Sequence, residues 1–398
     1  MQIGLVGKPS SGKSTFFKAL TLSDVAIAPY PFTTIKPNIG VGYVKIECIE
    51  KEFNVKCNPR YGYCINGQRF VPVEVIDVAG LVPGAHLGKG LGNQFLNDLN
   101  QADALIHIVD ISGSTNEKGE PVPPFTYDPL NDIKFLEEEI DLWYFGILKR
   151  NWNKISRQAE QVKFDIETLI SEQMCAFKVK KEMVKNIIDK LDLNKIKPSL
   201  WKDEKILELS KELRKATKPI LIACNKIDIP GSEENFERAK KEFPNYILIP
   251  CSADAELALR IAAKNNLIEY IPGDSDFTYK QKIKPEQEKA LEFIRERVLK
   301  KFNSTGIQQA INSAVFDLLK YVAVFPAGTS KLMDREGRIL PDCFLMPPNS
   351  TALDFAYKIH EDIGKNFLFA IDVKTKRRLG ADYVLKHRDA IEIVSAAK

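Results

Sequence analysis

The run Gly7-Lys8-Pro9-Ser10-Ser11-Gly12-Lys13-Ser14 sits between the apolar stretch Ile3–Val6 and the amphipathic stretch Ser14–Leu20. No other feature constrains the fold as strongly. A GxxxxGK[ST] loop joining a buried strand to a helix lets glycines wrap backbone N–H groups around an anion, and the helix N-terminus adds a favourable dipole. At this spacing Lys13 would reach the β- and γ-phosphates of a nucleotide and the Ser14 hydroxyl would ligate Mg²⁺. Gly7, Lys8, Pro9, Ser10, Ser11, Gly12 and Thr15 complete the expected phosphate-binding stretch. A plain glycine turn is the alternative, and the flanking strand and helix argue against it.

Further short apolar runs, Val71–Ile76, Ala104–Val109, Ile220–Cys224 and Ile247–Ile249, alternate with amphipathic stretches such as Asn93–Leu99 and Ala255–Lys264. Continuous apolar runs of this length suit strands buried on both faces. The alternation predicts an α/β fold, a doubly wound, mainly parallel sheet of the P-loop NTPase type. It breaks once, between residues 113 and 218, where the chain is strongly charged and reads as helices over Asp132–Leu148 and Lys178–Leu191. We expect a helical insertion there. Its basic run Lys149, Arg150, Lys154 and Arg157 is either a solvated face or a docking surface for RNA or protein. Helices are expected over Pro285–Phe302 and Ile307–Leu319. A small unit then follows, with strands at Val322–Phe325, a hairpin around Lys331–Arg338, a helix over Ala352–Ile363 capped by Thr351 with Asp354 and stopped by Gly364, and strands at Phe367–Ile371 and Ala390–Val394. With 398 residues, two or three domains are expected. The limits read as 1–112 with 219–275 for the nucleotide-binding domain, 113–218 for the insertion, 276–320 for connecting helices and 321–398 for the small unit.

Lys and Arg number 57 against 53 Asp and Glu, so the net charge of +4 argues against a histone-like polycation. The start of the chain reads as a strand rather than a signal peptide, and no run reaches the roughly 18 apolar residues of a membrane span. A cytoplasmic protein without membrane contact is expected. Seven cysteines, none in a CxxC pair, read as reduced thiols; Cys57 and Cys64 are too widely spaced for a standard zinc knuckle, with a pairing across a hairpin as the alternative.

Asp77 ends the run Val71–Ile76 and opens Asp77-Val78-Ala79-Gly80, where the carboxylate can hold the metal through water and the Gly80 N–H can sense a γ-phosphate. Asn225-Lys226-Ile227-Asp228 follows Ile220–Cys224. The Asp228 carboxylate can accept from both the N1–H and the exocyclic amine of guanine, which adenine cannot offer, and a site built on such pairing rejects the wrong analogue strongly. Asn225 would tie this loop to the P-loop, and the Lys226 stem would cover the base. Backbone N–H groups at Ser252 and Ala253 could meet the guanine carbonyl.

In this order and spacing the chain resembles the Obg/YchF-like GTPases of the translation-factor class, most closely archaeal-type members with a C-terminal TGS domain, a small β-grasp unit. The resemblance rests on the P-loop, on Tyr30-Pro31-Phe32-Thr33-Thr34-Ile35-Lys36-Pro37-Asn38-Ile39-Gly40, on the run from Asp77 through His86 to Leu96, on Asn225–Asp228 and on Thr351–His360. It implies that Thr34 is a switch threonine meeting Mg²⁺ and the γ-phosphate, and that Gly84, Gly88, Gly90 and Gly92 make a second switch mobile. Water would attack the γ-phosphate, with Mg²⁺, Lys13, Thr34 and the Gly80 N–H stabilising the charge. Mg²⁺ would be held by Ser14, Thr34 and Asp77. Leu81 follows Gly80 where Ras-like GTPases place a glutamine, so slow turnover is expected; His86 is the nearest titratable candidate for positioning water.

Two residues depart from the family pattern. YchF-type members often carry glutamate in place of the final aspartate of the base box and prefer ATP, whereas Asp228 is intact here. Many Obg-like proteins have a P-loop asparagine associated with potassium stimulation; this chain has Ser10, which puts K⁺ dependence in doubt. In the tail, Lys374, Lys376, Arg377, Arg378, Lys386 and Arg388 could meet phosphates without reading sequence, so a ribosome or structured RNA rather than a DNA sequence is the implied partner. The expected function is a GTP-binding, slowly hydrolysing switch. The alternatives are a YchF-like ATPase and an RNA-binding module gated by nucleotide.

Overall fold

The computed structural model describes residues 1–22, 38–78, 98–161, 165–334 and 336–396. Its larger sheet contains β1 (Gln2–Val6), β2 (Ile39–Glu47), β3 (Tyr63–Ile65), β4 (Gln68–Asp77), β5 (Ala104–Asp110), β6 (Ile220–Asn225) and β7 (Leu248–Pro250). Spatial order is β2-β4-β1-β5-β6-β7, with β3 added beside β4. The pairs β4–β1, β1–β5, β5–β6 and β6–β7 are parallel, and β2–β4 is antiparallel. Every residue of β5 and β6 is buried, as continuous apolar runs require when both faces of a sheet are covered. The α/β, mainly parallel fold class therefore holds.

Strand β2 was not anticipated. Its sequence, Ile-Gly-Val-Gly-Tyr-Val-Lys-Ile-Glu, carries two glycines that weaken the strand signal, yet full pairing with β4 overrides local preference. Gly42 fits because a Cβ there would lie 2.8 Å from side-chain atoms of both Ile311 and Val75. Ile311 belongs to the helix Ile307–Ser313, which shares a core with Val44, Val73 and Val75.

Between β5 and β6 the chain inserts the helices Leu130–Glu160, Ile166–Gln173, Lys181–Lys190 and Asp203–Thr217. The first is longer than the expected Asp132–Leu148. It is stitched to the last by Arg214, whose buried guanidinium meets Asp141 at 2.8 Å and Glu137 at 2.7 Å. Trp143, Tyr144 and Phe177 form a ring cluster, and Trp152 stacks on Trp201. Lys149, Arg150, Lys154 and Arg157 are all exposed.

The C-terminal unit has a five-stranded sheet ordered Phe344–Met346, Val322–Pro326, Asp389–Ser395, Phe367–Asp372 and Arg378–Leu379. The hairpin expected around 331–338 is reduced to a single antiparallel bridge from Met333 to Ile339, with the Leu340 N–H donating to the Leu332 carbonyl at 2.8 Å. Asp334 Oδ1 takes the Glu336 and Arg338 amides at 3.0 and 2.9 Å, which favours a turn over a strand ladder. The Thr351–Asp354 capping box forms. Its helix stops at Ile359 rather than Ile363, because extended His360 accepts the Asp362 N–H at 3.1 Å and starts a second short helix, Glu361–Lys365. Among the described residues no helix is long and apolar enough to cross a membrane.

Candidate functional site

The site lies beyond the C-terminal ends of β1, β6 and β7, where crossover helices begin. The loop after β1 leads into the helix Lys13–Thr21 (α1), with Gly12 at its N-cap. Gly12 has φ +90°, and a Cβ there would meet Asn225 Nδ2 at 2.2 Å. Glycine is therefore required by conformation and by contact. Ser10 also adopts a left-handed backbone, with φ +61°. Pro9, Ser10 and Ser14 are exposed, Gly12 and Thr15 half-buried, and Gly7 and Ser11 buried.

Asn225, at the end of β6, is the joint of the site. Its Nδ2 donates to the Ser11 carbonyl at 2.9 Å and its Oδ1 accepts the Ala253 N–H at 2.9 Å. One buried amide thus couples the phosphate loop to the segment after β7. Ser252 caps the helix Ala253–Lys264 by accepting from the Ala255 N–H. Asn225→Ala is expected to weaken guanine-nucleotide binding about 10- to 100-fold by releasing two hydrogen bonds that hold preformed loops. Titration calorimetry against GDP checks this; an unaltered dissociation constant would contradict the assigned role.

At the other side of the loop, Lys13 pairs with Asp77, the last residue of β4. The cation suited to phosphates and the carboxylate suited to a metal thus adjoin each other. A carboxylate and the exposed Ser14 hydroxyl at the start of α1 are hard oxygen donors of the kind Mg²⁺ takes. Lys8 behaves differently from its motif reading. Its side chain turns away, pairing with Asp132 at 2.8 Å, donating to the Thr115 carbonyl at 2.8 Å and covering the Tyr127 ring at 4.1 Å. Only its backbone remains in the loop. Burial raises the Asp132 carboxyl above its ordinary range despite Lys8. Thr34, Ala79, Gly80, Leu81 and His86, with the switch glycines Gly84 to Gly92, lie outside the described residues.

Lys226 has φ +63°, and its ammonium reaches Asp110 Oδ2 and the Ser114 hydroxyl at 2.8 and 3.1 Å. Burial opposes charge on Asp110, but Lys226 and the hydroxyls of Ser112 and Thr115 hold its carboxyl below the usual value. Asp228 faces a cleft of about 460 Å³ lined also by Ser252, Asp254, Lys289, Phe293 and Ile294. Phe293, on the helix Pro285–Ile294, is 54% exposed and supplies an apolar wall. Partial burial, then the nearby Asp228 charge, raises the Asp254 carboxyl. Arg297 donates to the Asp228 carbonyl at 3.3 Å, holding the loop from behind. Sequence reasoning missed Asp110, Phe293 and Arg297. Asp110 was visible as the polar end of the run Ala104–Val109; the other two come from a helix whose place in the fold no local pattern announces.

With a strand–P-loop–helix, an aspartate ending a neighbouring strand and an Asn-Lys-x-Asp cleft on one sheet edge, comparison with known proteins becomes informative. Residues 2–141 match the family described as 50S ribosome-binding GTPase, 223–328 that described as Obg-like GTPase YGR210-like, G4 motif-containing domain, and 332–395 the TGS domain. A GTP-binding protein of Methanocaldococcus jannaschii is 49% identical over 397 residues, covering 100% of this chain and 99% of its own. The chain belongs to the Obg-like GTPase family. The crystal structure of a GTP binding protein from Pyrococcus horikoshii OT3 superposes with TM-score 0.80 at 39% identity, covering 100% of both chains. The ribosome-binding ATPase YchF of Buchnera aphidicola is 28% identical over 391 residues, covering 93% of this chain and 88% of its own. As an Obg-like GTPase, the protein is a P-loop nucleoside triphosphate hydrolase with a C-terminal TGS domain.

Proposed function

We propose that the protein is a GTP-selective switch that hydrolyses GTP slowly to GDP and phosphate and acts on the ribosome or structured RNA. The base cleft supports this reading most strongly: Asp228 stands in it, with Asn225 bridging the P-loop to Ala253 behind it. A carboxylate in that position satisfies both guanine donors, whereas adenine would leave it unpaired. The GTP triphosphate enters the loop Gly7–Ser14, and Lys13 exchanges Asp77 for phosphate oxygens. Ser14, Asp77 and, by its motif, Thr34 would hold Mg²⁺, which offsets phosphate charge when bound. The Gly80 N–H is assigned to the γ-phosphate by the same motif. Leu81 offers attacking water no hydrogen bond, which accounts for slow intrinsic turnover.

The ribosomal part of the reading draws on the names of the matched family and of the Buchnera relative. The proposed unit limits remain 1–112 with 219–275, 113–218, 276–320 and 321–398. Co-sedimentation with ribosomes is expected to rise severalfold with a non-hydrolysable GTP analogue relative to GDP. Equal pelleting in both states would contradict a switch, and no pelleting in either would contradict the partner.

A further inference from the structure

The segment between β2 and β4 assembles four metal-ligating side chains far from the nucleotide cleft. Cys48 follows β2, Glu50 lies in the single turn Ile49–Lys51, Cys57 in the loop after it, and Cys64 in β3. One ligand atom from each, three thiol sulfurs and a carboxylate oxygen, falls within 4.8 Å of every other. We propose that Cys48, Glu50, Cys57 and Cys64 bind a structural Zn²⁺ ion that clamps this segment as a platform for the C-terminal unit.

The distances support a tetrahedral centre. With Zn–S near 2.3 Å and Zn–O near 2.0 Å, a tetrahedron has S···S edges of about 3.8 Å and S···O edges of about 3.5 Å. The Cys48 and Cys57 sulfurs are 3.7 Å apart, and the Cys64 sulfur is 3.5 Å from Glu50 Oε1. A disulfide requires about 2.05 Å, so these thiols are set for a shared ion rather than for each other. All seven cysteines are free. Three soft sulfurs with one carboxylate select zinc over Mg²⁺ or Ca²⁺.

The ligands are held before any ion arrives. The Cys57 N–H fixes Glu50 Oε2 at 2.7 Å, the outer-sphere contact that orients a ligating carboxylate. The Cys48 N–H is anchored to the Gly67 carbonyl at 2.8 Å. Asn66 and Gly67, with φ +50° and +75°, make the two-residue hairpin that returns β3 along β4 and presents Cys64. Arg69, opposite Cys64 in register, adds a buried positive charge beside an anionic zinc–thiolate centre. Cys48 and Cys57 are buried, while Glu50 and Cys64 are half-buried and leave an entry path.

The same segment carries the docking contacts of the C-terminal unit. Glu52, two residues beyond Glu50, accepts Lys374 at 2.7 Å and Arg388 at 2.5 Å; Glu47 accepts Arg388 at 3.3 Å. Asn58 and Arg60 donate backbone N–H groups to the Ile339 and Pro341 carbonyls at 2.8 Å, and Arg69 donates to the Leu340 and Pro341 carbonyls. Lys374 and Arg388, which the sequence offers as possible phosphate contacts, are thus paired with carboxylates of this segment.

The test is metal analysis of the full chain purified under reducing conditions, with Co²⁺ replacement followed by absorption spectroscopy. About one tightly held zinc per chain, and thiolate-to-cobalt charge-transfer bands on replacement, are expected. Cys57→Ser and Cys64→Ser should lose the ion and Cys343→Ser should keep it. A folded chain that takes up neither zinc nor cobalt, or one with a Cys48–Cys57 disulfide after reduction, would overturn the proposal. Because the spectroscopic readout uses the unmodified chain, poor folding of a cysteine variant does not blunt it.

Discussion

Lys13→Ala is expected to weaken GTP binding by about 100- to 1,000-fold and GDP binding by about 10- to 100-fold. The lysine stands at the start of α1, 14% exposed, with the Asp77 carboxylate as its partner. Charge-assisted hydrogen bonds to phosphate contribute roughly 1.5–3 kcal/mol each; Lys13 can make two with the β- and γ-phosphates of GTP and one with the β-phosphate of GDP. The substitution also leaves Asp77 uncompensated beside a polyanion, which adds repulsion to the lost attraction. Alanine is a strong helix former, so α1 should persist and circular dichroism should be unchanged. Calorimetry on the folded variant isolates the phosphate contribution; wild-type affinity would refute the P-loop reading.

The second large effect concerns the base. Asp228→Ala should reduce GDP affinity by about 100-fold or more, because both guanine donors lose their acceptor. Adenine nucleotide has no pair of donors to lose, so ADP affinity should stay within a few-fold. Asp228→Glu should shift preference from GTP towards ATP. The longer side chain carries the carboxylate into a cleft already lined by Ser252, Asp254 and Phe293 and misplaces it for guanine. A GTP/ATP ratio unaltered by either substitution would place recognition elsewhere.

These residues could be read from sequence because their chemistry is local. Gly7 to Ser14 are contiguous, and strand-end positions place Asp77, Asn225 and Asp228 on one edge once the alternation of strands and helices is recognised. The Asn225 amide bridging Ser11 and Ala253 follows from that order. What escaped depends on partners remote in the chain. Lys8 lies inside the motif, yet its side chain is claimed by Asp132 and Tyr127. Strand β2 hides behind its glycines until β4 pairs with it. The cysteines offer no recognisable spacing, because a turn at Ile49–Lys51 and a hairpin at Asn66-Gly67 bring them together from separate elements. In the basic tail, Lys374 and Arg388 pair with Glu47 and Glu52, carboxylates more than 300 residues away that no local pattern announces.

The most direct measurement is titration calorimetry of the unmodified chain with GDP and with ADP under identical Mg²⁺ and salt. GDP is expected to bind at least roughly a hundredfold more tightly than ADP, since only guanine satisfies Asp228. ADP binding as tightly as GDP, or more tightly, would contradict this.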